Sequence, residues 1–309
     1  MIRGIIHPDS HSKLKESTDS YYIFEDDSKL PVHKGIPVLF GKDSLFNAQD
    51  IINAKVTTQD KTYADTKNLK NYVRRKLLPS LAKDFNLVKR YTELADLLPQ
   101  QSKVLILGTG DKKEFYKDIF AHSQVICSDV HAEFSPDLIF DGHFIPFSEN
   151  SFDLVLAAQV IEHTINPWQF CNELQRVTKV DGYLQIEAPQ TFPYHAQPYD
   201  FYRFTYTGMR SLFPKCHVIK ESITEGNAAV VAVTLSNYLI NLSSVSFIRS
   251  AFLFISRLLF GWLKYLDKKN GSLNHRRVSM PKGYAFTFKK DNKQRAPQEL
   301  LHSFYALKK

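Results

Sequence analysis

The sequence predicts an α/β fold built on a mostly parallel sheet. From residue 103 onward, short apolar runs of strand length alternate with segments of helical periodicity. This alternation is typical of βαβ units, in which consecutive strands run parallel. The runs expected to form the first five strands are 104–107, 125–127, 138–140, 154–158 and 183–186. Asn166 as N-cap and Pro167 at the first helical position mark the start of the helix predicted over 167–178.

Composition excludes several classes of protein. The chain has 309 residues, of which 43% are hydrophobic and 23% charged, so a disordered or collagen-like chain is excluded. Its three cysteines, Cys127, Cys171 and Cys216, have no CxxC spacing, which argues against a disulfide scaffold or a cysteine-based zinc site. The first residues lack the apolar run of a signal peptide, so a cytoplasmic location is expected.

The basic charge is concentrated at the C-terminal end. Residues 249–309 hold 14 Lys and Arg against 3 Asp and Glu, a net charge of +11. Residues 1–248 hold 26 and 29, a net charge of −3. The total of +8 is therefore no argument that the whole molecule binds nucleic acid.

Two regions precede the predicted sheet. Residues 1–45 are expected to form a small β appendage with a hairpin of strands at 21–24 and 30–40, where Pro31 and Pro37 favour irregular edge pairing. Residues 46–98 are expected to be a linker followed by helices. Helical periodicity runs from 68 to 98, and Pro79 divides it into two helices.

A glycine turn follows the first strand of the predicted sheet. Gly108, Thr109 and Gly110 come directly after residues 104–107, and Asp129 follows the second strand, 21 residues after Gly108. A GxG alone is more often a tight turn than a ligand site. A carboxylate about 20 residues after such a turn is where α/β folds bind ribose hydroxyls, and this favours a nucleotide site.

Two longer segments carry a family resemblance. Residues 141–163, DGHFIPFSENSFDLVLAAQVIEH, and 173–184, ELQRVTKVDGYL, closely resemble class I S-adenosylmethionine-dependent methyltransferases with a type-11 methyltransferase domain. The resemblance covers about residues 100–215 and, more loosely, the remainder. It implies a Rossmann-like, seven-stranded, mostly parallel sheet with helices on both faces, within a methyltransferase domain at 99–290. Strands at 216–221 and 284–288 would close this sheet as a hairpin.

The resemblance implies S-adenosylmethionine as cofactor and a set of residues that bind it. The glycine turn would line the methionine end, Asp129 would accept the ribose hydroxyls, Asp141 would face the adenine amino group, and Gln159 and Val160 would lie near the sulfonium. The residues expected to contact the cofactor are Gly108, Thr109, Gly110, Asp129, Val130, Asp141, Gly142, Gln159 and Val160.

Two positions depart from the family pattern. The family has an acidic residue two positions before the first glycine, where this chain has Ile106, and a third glycine where it has Lys112. These departures keep open an alternative, a non-catalytic interaction protein with the methyltransferase fold.

Candidate catalytic and substrate residues follow the fourth and fifth strands. His163 is the first candidate for a general base and His195 the second, with Tyr194 and Arg203 expected to bind the substrate. His195 and Arg203 lie in a segment similar to the H-x-x-P-x-D-(F/Y)-(W/Y)-RFT stretch of bacterial methyltransferases of this type. Two structural alternatives stay open: Glu162 and His163 brace the next helix, and Asp200 pairs with Arg203 within the loop.

The N-terminal appendage is similar to the end of a zinc-ribbon-like domain found ahead of some methyltransferases. The cysteines that such domains often carry are absent here, so no metal is expected. A β-hairpin appendage is the preferred interpretation.

A helical insertion is predicted at about 226–268, before the last strand, and a basic tail at 291–309. In the stretch 249–268, Arg249, Arg257, Lys264 and Lys268 fall on one side of a helical wheel beside a bulky apolar face. This pattern favours peripheral contact with an anionic membrane at its inner face, and a core-packed domain helix is the alternative.

The predicted activity is methyl transfer to an oxygen or nitrogen of a small or lipid-linked acceptor. An RNA methyltransferase that uses the basic tail is a further alternative. It is less favoured, because the chain has no Asn/Asp-Pro-Pro-Tyr motif at the fourth strand and no evident cysteine nucleophile for pyrimidine methylation.

Overall fold

The computed structural model describes residues 2–53, 78–269 and 273–307. The helix predicted ahead of Pro79 lies outside these residues. The helical pattern that follows Pro79 forms a helix over Leu87–Asp96, later than the sequence predicts.

The N-terminal residues form a four-stranded antiparallel sheet. It adds one strand before the predicted hairpin and divides the predicted second strand, 30–40, into two. Its strands are β1 (Leu14–Ser17), β2 (Tyr21–Phe24), β3 (Lys29–His33) and β4 (Ile36–Pro37). Phe24 and Leu39 are fully buried in the main hydrophobic core. Val38 pairs with Ile139 of the large sheet. The appendage is thus packed against the rest of the chain.

The large sheet has seven strands in the order β10-β11-β9-β8-β5-β6-β7. They are β5 (Lys103–Leu107), β6 (Gln124–Asp129), β7 (Leu138–Ile139), β8 (Phe152–Ala158), β9 (Thr178–Pro189), β10 (Cys216–Ile223) and β11 (Gly283–Lys290). The strands β5 to β9 pair in parallel, whereas β11 is antiparallel to both β9 and β10. This sheet confirms the predicted fold class.

The described helices cover both faces of the large sheet and add an insertion and a C-terminal pair. They are α1 (Ala48–Ile52), α2 (Leu87–Asp96), α3 (Lys113–Ile119), α4 (Pro167–Val177), α5 (Tyr206–Ser211), α6 (Asn227–Asn241), α7 (Ser246–Phe260), α8 (Pro297–Leu300) and α9 (His302–Tyr305). As predicted, the Asn166 side chain caps α4 by accepting from the Gln169 N–H.

Strand β5 shows why helices are needed on both faces. Successive side chains of a strand point to opposite faces of the sheet. Val104 and Ile106 pack with buried residues of α2 and α3, whereas Leu105 and Leu107 pack with buried residues of α4. A strand that is apolar at four consecutive positions therefore needs a cover on each side.

The strand order reverses between β5 and β8. From β5 the chain proceeds outward to β6 and β7, then returns to β8 on the other side of β5. In α/β sheets of this kind, ligands bind in the crevice outside the carboxyl ends of the strands at such a reversal. A ligand is therefore expected between the residues that follow Leu107 and those that follow Ala158.

The predicted insertion forms α6, α7 and a 3-10 helix over Leu263–Lys269. Helices α6 and α7 pack together, with the hydroxyls of Ser236 and Ser256 2.7 Å apart at their buried contact. Among the described residues, no helix has the length and apolarity needed to cross a membrane.

The basic side of the insertion differs from the prediction at Lys264. Its ammonium group is buried and donates to the carbonyl and the hydroxyl of Ser80, at 2.8 and 3.1 Å. The chain ends α7 at Phe260 and enters a 3-10 helix, so a single α-helical wheel over 249–268 misplaces this residue. Arg249 and Lys268 are exposed as expected.

The C-terminal residues fold back onto the sheet. Leu300 and Leu307 are buried, and the Phe304 ring lies 6.1 Å from that of Tyr206. Arg295 forms an ion pair with Asp291 at 2.6 Å. Much of the segment predicted as a basic tail is therefore packed.

Candidate functional site

The glycine turn lies at the switch point of the sheet. Gly108 and Gly110 have φ angles of +64° and +53°, which favour glycine. A Cβ on Gly108 would lie 2.3 Å from Cγ2 of Val160, which follows β8. Thr109 is buried, and both its N–H and its hydroxyl donate to the Ser128 carbonyl at 3.1 Å. The turn is thus fixed between the ends of β6 and β8.

Asp129 ends β6 and faces the glycine turn. Its Oδ2 accepts the Gly110 N–H at 3.0 Å, and its Oδ1 accepts the Val130 N–H at 2.8 Å. Nε2 of His131 lies 3.3 Å from the same Oδ1 and is buried without a hydrogen-bond partner in the described parts of the chain. Because Nδ1 of His131 accepts from the Glu133 N–H, Nε2 carries the proton. A carboxylate and an N–H donor therefore lie side by side.

Asp141 accepts three hydrogen bonds from within the chain, which the sequence did not predict. Its carboxylate accepts from the Ser44 hydroxyl at 2.7 Å, from the His143 N–H at 3.0 Å and from Nδ1 of His143 at 2.6 Å. Burial alone would raise the pKa of Asp141, but the hydrogen bonds from His143 hold it below its usual value. A Cβ on Gly142 would lie 2.3 Å from the Phe170 ring, so glycine is required there by packing.

Of the two residues that depart from the family pattern, Ile106 is buried and Lys112 is exposed. Ile106 is fully buried in the core beneath α2 and α3, where it replaces an acidic group with an apolar contact. Lys112 is exposed on the 3-10 turn over Gly110–Lys112.

Gln159 links β8 to the turn that follows it. It is exposed, has a φ of +58° and donates its N–H to the Glu187 carbonyl at 2.8 Å. A left-handed residue other than glycine is a strained one, and such strain clusters at functional sites. The left-handed backbone of Gln159 turns the chain directly after β8.

The structure brings His163 and His195 together. Their ring centroids are 4.9 Å apart, with His163 in the 3-10 turn over Ile161–His163 and His195 in the loop after β9. Burial lowers the pKa of both imidazoles, so both are neutral at pH 7 and able to accept a proton or bind a cation. This neighbourhood fits the predicted role of a general base.

Glu162 is the residue of the site whose role the sequence underestimates. Its side chain is 0% exposed, and burial raises the pKa of its carboxyl to about 8. Its side chain does not hydrogen-bond to the next helix, so it does not brace it as the structural alternative supposed. Its position directly before His163 is the one sequence signal that pointed to it.

Arg203 holds the loop after β9. It donates to both carboxylate oxygens of Asp200, at 2.6 and 2.7 Å. Its other donors reach backbone carbonyls of the loop, those of Phe192, Pro193 and Tyr202. All five N–H donors of the guanidinium are therefore in use. This favours the alternative pairing with Asp200, and contact of Arg203 with an anionic substrate group stays a prediction.

Tyr194, the other predicted substrate residue, lies on the same loop and is 58% exposed. Two cavities lie elsewhere. One of about 410 Å³ is lined by His11, His143, Trp168 and Arg176 among others, and one of about 660 Å³ lies between β4 and α3. Neither is lined by the glycine turn or by the paired histidines.

Comparison with known proteins finds a family match over part of this chain. A family model described as a methyltransferase domain matches residues 108–186. An uncharacterized methyltransferase of Mycobacterium leprae (strain Br4923) is 44% identical over 41 residues, which are 13% of this chain and 15% of that protein. The chain therefore matches only about a seventh of the length of this curated relative.

Two solved structures show more distant similarity. The YcgJ protein of Bacillus subtilis is 14% identical, with 67% of this chain and 98% of that chain covered and a TM-score of 0.40. The Haemonchus contortus phospholethanolamine N-methyltransferase 2, in complex with phosphomonomethylethanolamine and S-adenosylhomocysteine, is 11% identical. There the coverage is 77% of this chain and 61% of that chain, with a TM-score of 0.43.

The family match and the strand order agree with the resemblance found in the sequence. Residues 108–186 match a methyltransferase domain, and the seven-stranded sheet has the mostly parallel, Rossmann-like arrangement that the resemblance implies. The matched residues 108–186 run from the first glycine of the turn to the middle of β9.

Proposed function

We propose that the chain transfers a methyl group from S-adenosylmethionine to an oxygen or nitrogen atom of a small or lipid-linked acceptor. The observation that carries this proposal is the placement of Asp129 opposite the left-handed turn at Gly108 and Gly110, in the crevice where the strand order reverses. This is the place where α/β folds bind nucleotides.

The residues around Asp129 fit the ribose of such a cofactor. An ionised carboxylate accepts about four hydrogen bonds, and the amides of Gly110 and Val130 supply two. The other lone pairs suit the two hydroxyls of a ribose. The buried N–H of His131 beside them is a donor for a hydroxyl oxygen. The polar groups present therefore match a diol.

The chain's contribution to the chemistry is orientation and proton removal. S-adenosylmethionine, when bound, supplies an electrophilic methyl group on a sulfonium. The glycine turn and Val160 form the wall of the crevice at the expected methionine end. The neutral imidazoles of His163 and His195 lie beyond Val160 and would take a proton from an acceptor hydroxyl or ammonium group.

The substitution Asp129→Asn is expected to weaken binding of S-adenosylmethionine at least about tenfold. The new amide places an NH₂ against one of the two N–H groups, of Gly110 or of Val130, that now donate to the carboxylate, and it removes the charge that accepts hydroxyls. Isothermal titration calorimetry measures the affinity. Asp118→Asn, an exposed carboxylate on α3, is the matched control and should bind as the unmodified protein does.

Equal affinity in Asp129→Asn would contradict the assignment of the ribose site. If the unmodified protein binds no S-adenosylmethionine at millimolar concentration, the enzyme proposal fails. The non-catalytic alternative, with the acidic residue lost at Ile106, would then be favoured.

A second proposal is that the protein meets its methyl acceptor at the surface of a membrane. Helix α7 exposes large apolar side chains to solvent, among them Phe247 at 82% and Leu258 at 54%. The exposed cations Arg249 and Lys268 lie on the same insertion. An apolar helix face beside basic residues suits the surface of an anionic bilayer. This favours a lipid-linked acceptor that is met at a membrane.

The protein is expected to sediment with vesicles of phosphatidylglycerol and much less with vesicles of phosphatidylcholine. The double substitution Phe247→Ser and Leu258→Ser should lower the partition coefficient for these vesicles at least about fivefold, because two apolar side chains no longer enter the bilayer. Val88→Ser removes an equally exposed apolar residue from α2 and serves as control. No sedimentation with anionic vesicles would exclude this membrane contact.

A further inference from the structure

Three side chains at the carboxyl edge of the sheet form an acid–imidazole cluster, which consists of Glu162, His163 and His195. One potential ligand atom from each lies within 4.8 Å of those of the other two. The first two occupy the 3-10 turn that follows β8, and the third lies in the loop that follows β9. Because β8 and β9 are parallel neighbours, both connections leave the same edge of the sheet.

The buried carboxylate of Glu162 would be stabilised by a cation bound beside it. It is completely buried, and neither of its oxygens has a hydrogen-bond partner in the described parts of the chain. Nε2 of His163 lies 3.7 Å from Oε1, which is beyond hydrogen-bond distance. The positive charges of Arg203 and Lys282 also act on this carboxyl, although neither donates a hydrogen bond to it. A proton would remove the charge, but the acceptor that its O–H would face, Nε2 of His163, lies at the same 3.7 Å, too far for a hydrogen bond. Burying such a group costs free energy in either protonation state.

Both histidines are held in the form that binds metal ions. Nδ1 of His163 lies 2.6 Å from the carbonyl oxygen of Tyr199, so Nδ1 carries the proton and the lone pair of Nε2 faces Glu162. Nδ1 of His195 lies 3.1 Å from Oδ2 of Asp200 and 3.2 Å from the Pro193 carbonyl oxygen, two acceptors that favour the proton on Nδ1 and leave Nε2 for a ligand. Nη2 of Arg203 is also 3.2 Å from Nδ1, but its two N–H groups already donate to Asp200 and Pro193. A carbonyl or a carboxylate on the far nitrogen is the usual outer partner of a metal-binding histidine.

We propose that the acid–imidazole cluster binds a divalent first-row transition-metal ion, with Zn²⁺ the best match. Two imidazoles and one carboxylate are a donor set that zinc favours, whereas Mg²⁺ and Ca²⁺ prefer oxygen ligands alone. Three protein ligands leave a fourth position for an oxygen donor such as water or a hydroxyl group. An imidazole bound to the ion accepts no proton, so proton removal by His163 and His195 belongs to the metal-free chain, and in the metal-bound chain it would pass to a hydroxide at the fourth position. This site was not expected from the sequence, which predicts no metal.

The three ligand atoms need to approach one another only slightly to bind one ion. Donor atoms around a tetrahedral zinc ion stand about 3.3 Å apart, given bonds of about 2.0 Å. The ligand atoms of the cluster already lie within 4.8 Å of one another. His163 and His195 are both partly exposed, so their rings have room to turn toward Glu162. An ion also has a route of entry from the side of the two histidines.

A second set of residues positions the ligands. Asp200 holds His195 and is itself held by two hydrogen bonds from Arg203. The backbone of Glu162 is fixed as well, because its carbonyl accepts the N–H groups of Phe201 and Tyr202 at 2.8 and 3.2 Å. The loop after β9 is therefore attached to the turn that carries two of the three ligands.

The test is a titration of the full chain, freed of metal by a chelator, with ZnCl₂ alone in a calorimeter. We expect one saturable ion per chain and a rise in melting temperature when it binds. Co²⁺ in place of Zn²⁺ should give visible d–d absorption bands, and MgCl₂ should give no saturable binding. No cofactor or methyl acceptor is present, so the result is independent of the proposed methyl transfer.

Glu162→Gln and His195→Gln should each weaken Zn²⁺ binding at least about a hundredfold, and Asp200→Asn about tenfold through its hold on His195. The matched controls are Glu114→Gln and His122→Ala, which change exposed residues of the same types away from the cluster. Metal-free Glu162→Gln should melt close to the temperature of the metal-free parent, because it exchanges one buried polar group without a hydrogen-bond partner for another of nearly the same size. Loss of binding would then not reflect unfolding.

Several results would overturn the proposal. One is the absence of saturable Zn²⁺ binding by the parent chain, and another is saturable binding of Mg²⁺ in preference to Zn²⁺. A third is unchanged Zn²⁺ affinity in His195→Gln, which would show that the ion is held by other histidines. If Glu162→Gln does not fold, His195→Gln at its partly exposed position decides the question.

Discussion

Replacing Gly108 with alanine is expected to destabilise the chain by about 3 kcal/mol and to abolish measurable S-adenosylmethionine binding. A residue with a Cβ loses about 1–2 kcal/mol in the left-handed conformation that Gly108 adopts at φ +64°. Its Cβ would also lie 2.3 Å from Cγ2 of Val160, and overpacking of this kind adds about 1–3 kcal/mol. Urea unfolding measures the stability, and calorimetry measures the binding.

Two comparisons separate the conformational cost from the steric one. Gly35 has a φ of +77° and nothing within 4 Å of an added Cβ, so Gly35→Ala should show the conformational cost alone. Val160→Ala removes the atom that clashes, so the double substitution at positions 108 and 160 should be more stable than the sum of the single effects by about 1–2 kcal/mol. Additive effects would contradict a direct contact between the two residues.

The sheet could be predicted from the sequence because its evidence is local. Strand β5 is apolar at four consecutive positions, which is the pattern of a strand buried on both faces. The glycine turn after it and Asp129 after β6 then follow in fixed order along the chain. Each of these signals needs only a few neighbouring residues, and in a parallel sheet chain order largely determines which strand ends meet.

The side-chain pairings at the site were harder to predict, because they join residues far apart in sequence. Ser44 reaches Asp141 over 97 positions, and Lys264 reaches Ser80 over 184. Such contacts depend on how loops pack, for which a single sequence carries no periodic signal. Lys264 was misplaced for this reason, whereas the pair of Asp200 and Arg203 was foreseen as an alternative because its members are three residues apart.

The N-terminal appendage contributes to the site as well as to the core. Ser44 donates to the carboxylate of Asp141, and the Phe46 ring lies 5.6 Å from that of Tyr199. Tyr199 also accepts from His163 through its carbonyl. One short segment after β4 thus contacts both the expected adenine residue and the loop that carries His195. The appendage therefore helps to fix the wall of the crevice.

Arg90 forms the buried ionic contact between α2 and the sheet. It is 5% exposed, its Nε donates to Glu187 of β9 at 2.9 Å, and its Nη2 donates to Asp84 at 2.6 Å. Nε2 of Gln185 supplies the carboxylate of Glu187 with a further hydrogen bond at 3.1 Å. Burial raises the pKa of Asp84, although the charge of Arg90 opposes this shift. The guanidinium thus compensates two acidic groups that have little access to water.

Replacing Arg90 with methionine is expected to lower the free energy of unfolding by about 3–5 kcal/mol. Methionine fills much of the same space, but it leaves the carboxylate of Glu187 buried without a cation. Urea unfolding followed by circular dichroism measures the loss. Lys89→Met on the same helix removes an exposed cation 3.9 Å from Glu93 and should cost less than about 0.5 kcal/mol.

Adding Glu187→Gln to Arg90→Met should restore at least about half of the lost stability, because the buried charge disappears with its partner. Glu187→Gln alone should cost less than Arg90→Met, since Arg90 keeps its ion pair with Asp84. This order depends on the difference between an unpaired buried charge and a buried pair that has been removed as a unit. If Arg90→Met costs no more than Lys89→Met, α2 is held by its apolar contacts through Tyr91 and Leu94, and the ionic contact contributes nothing.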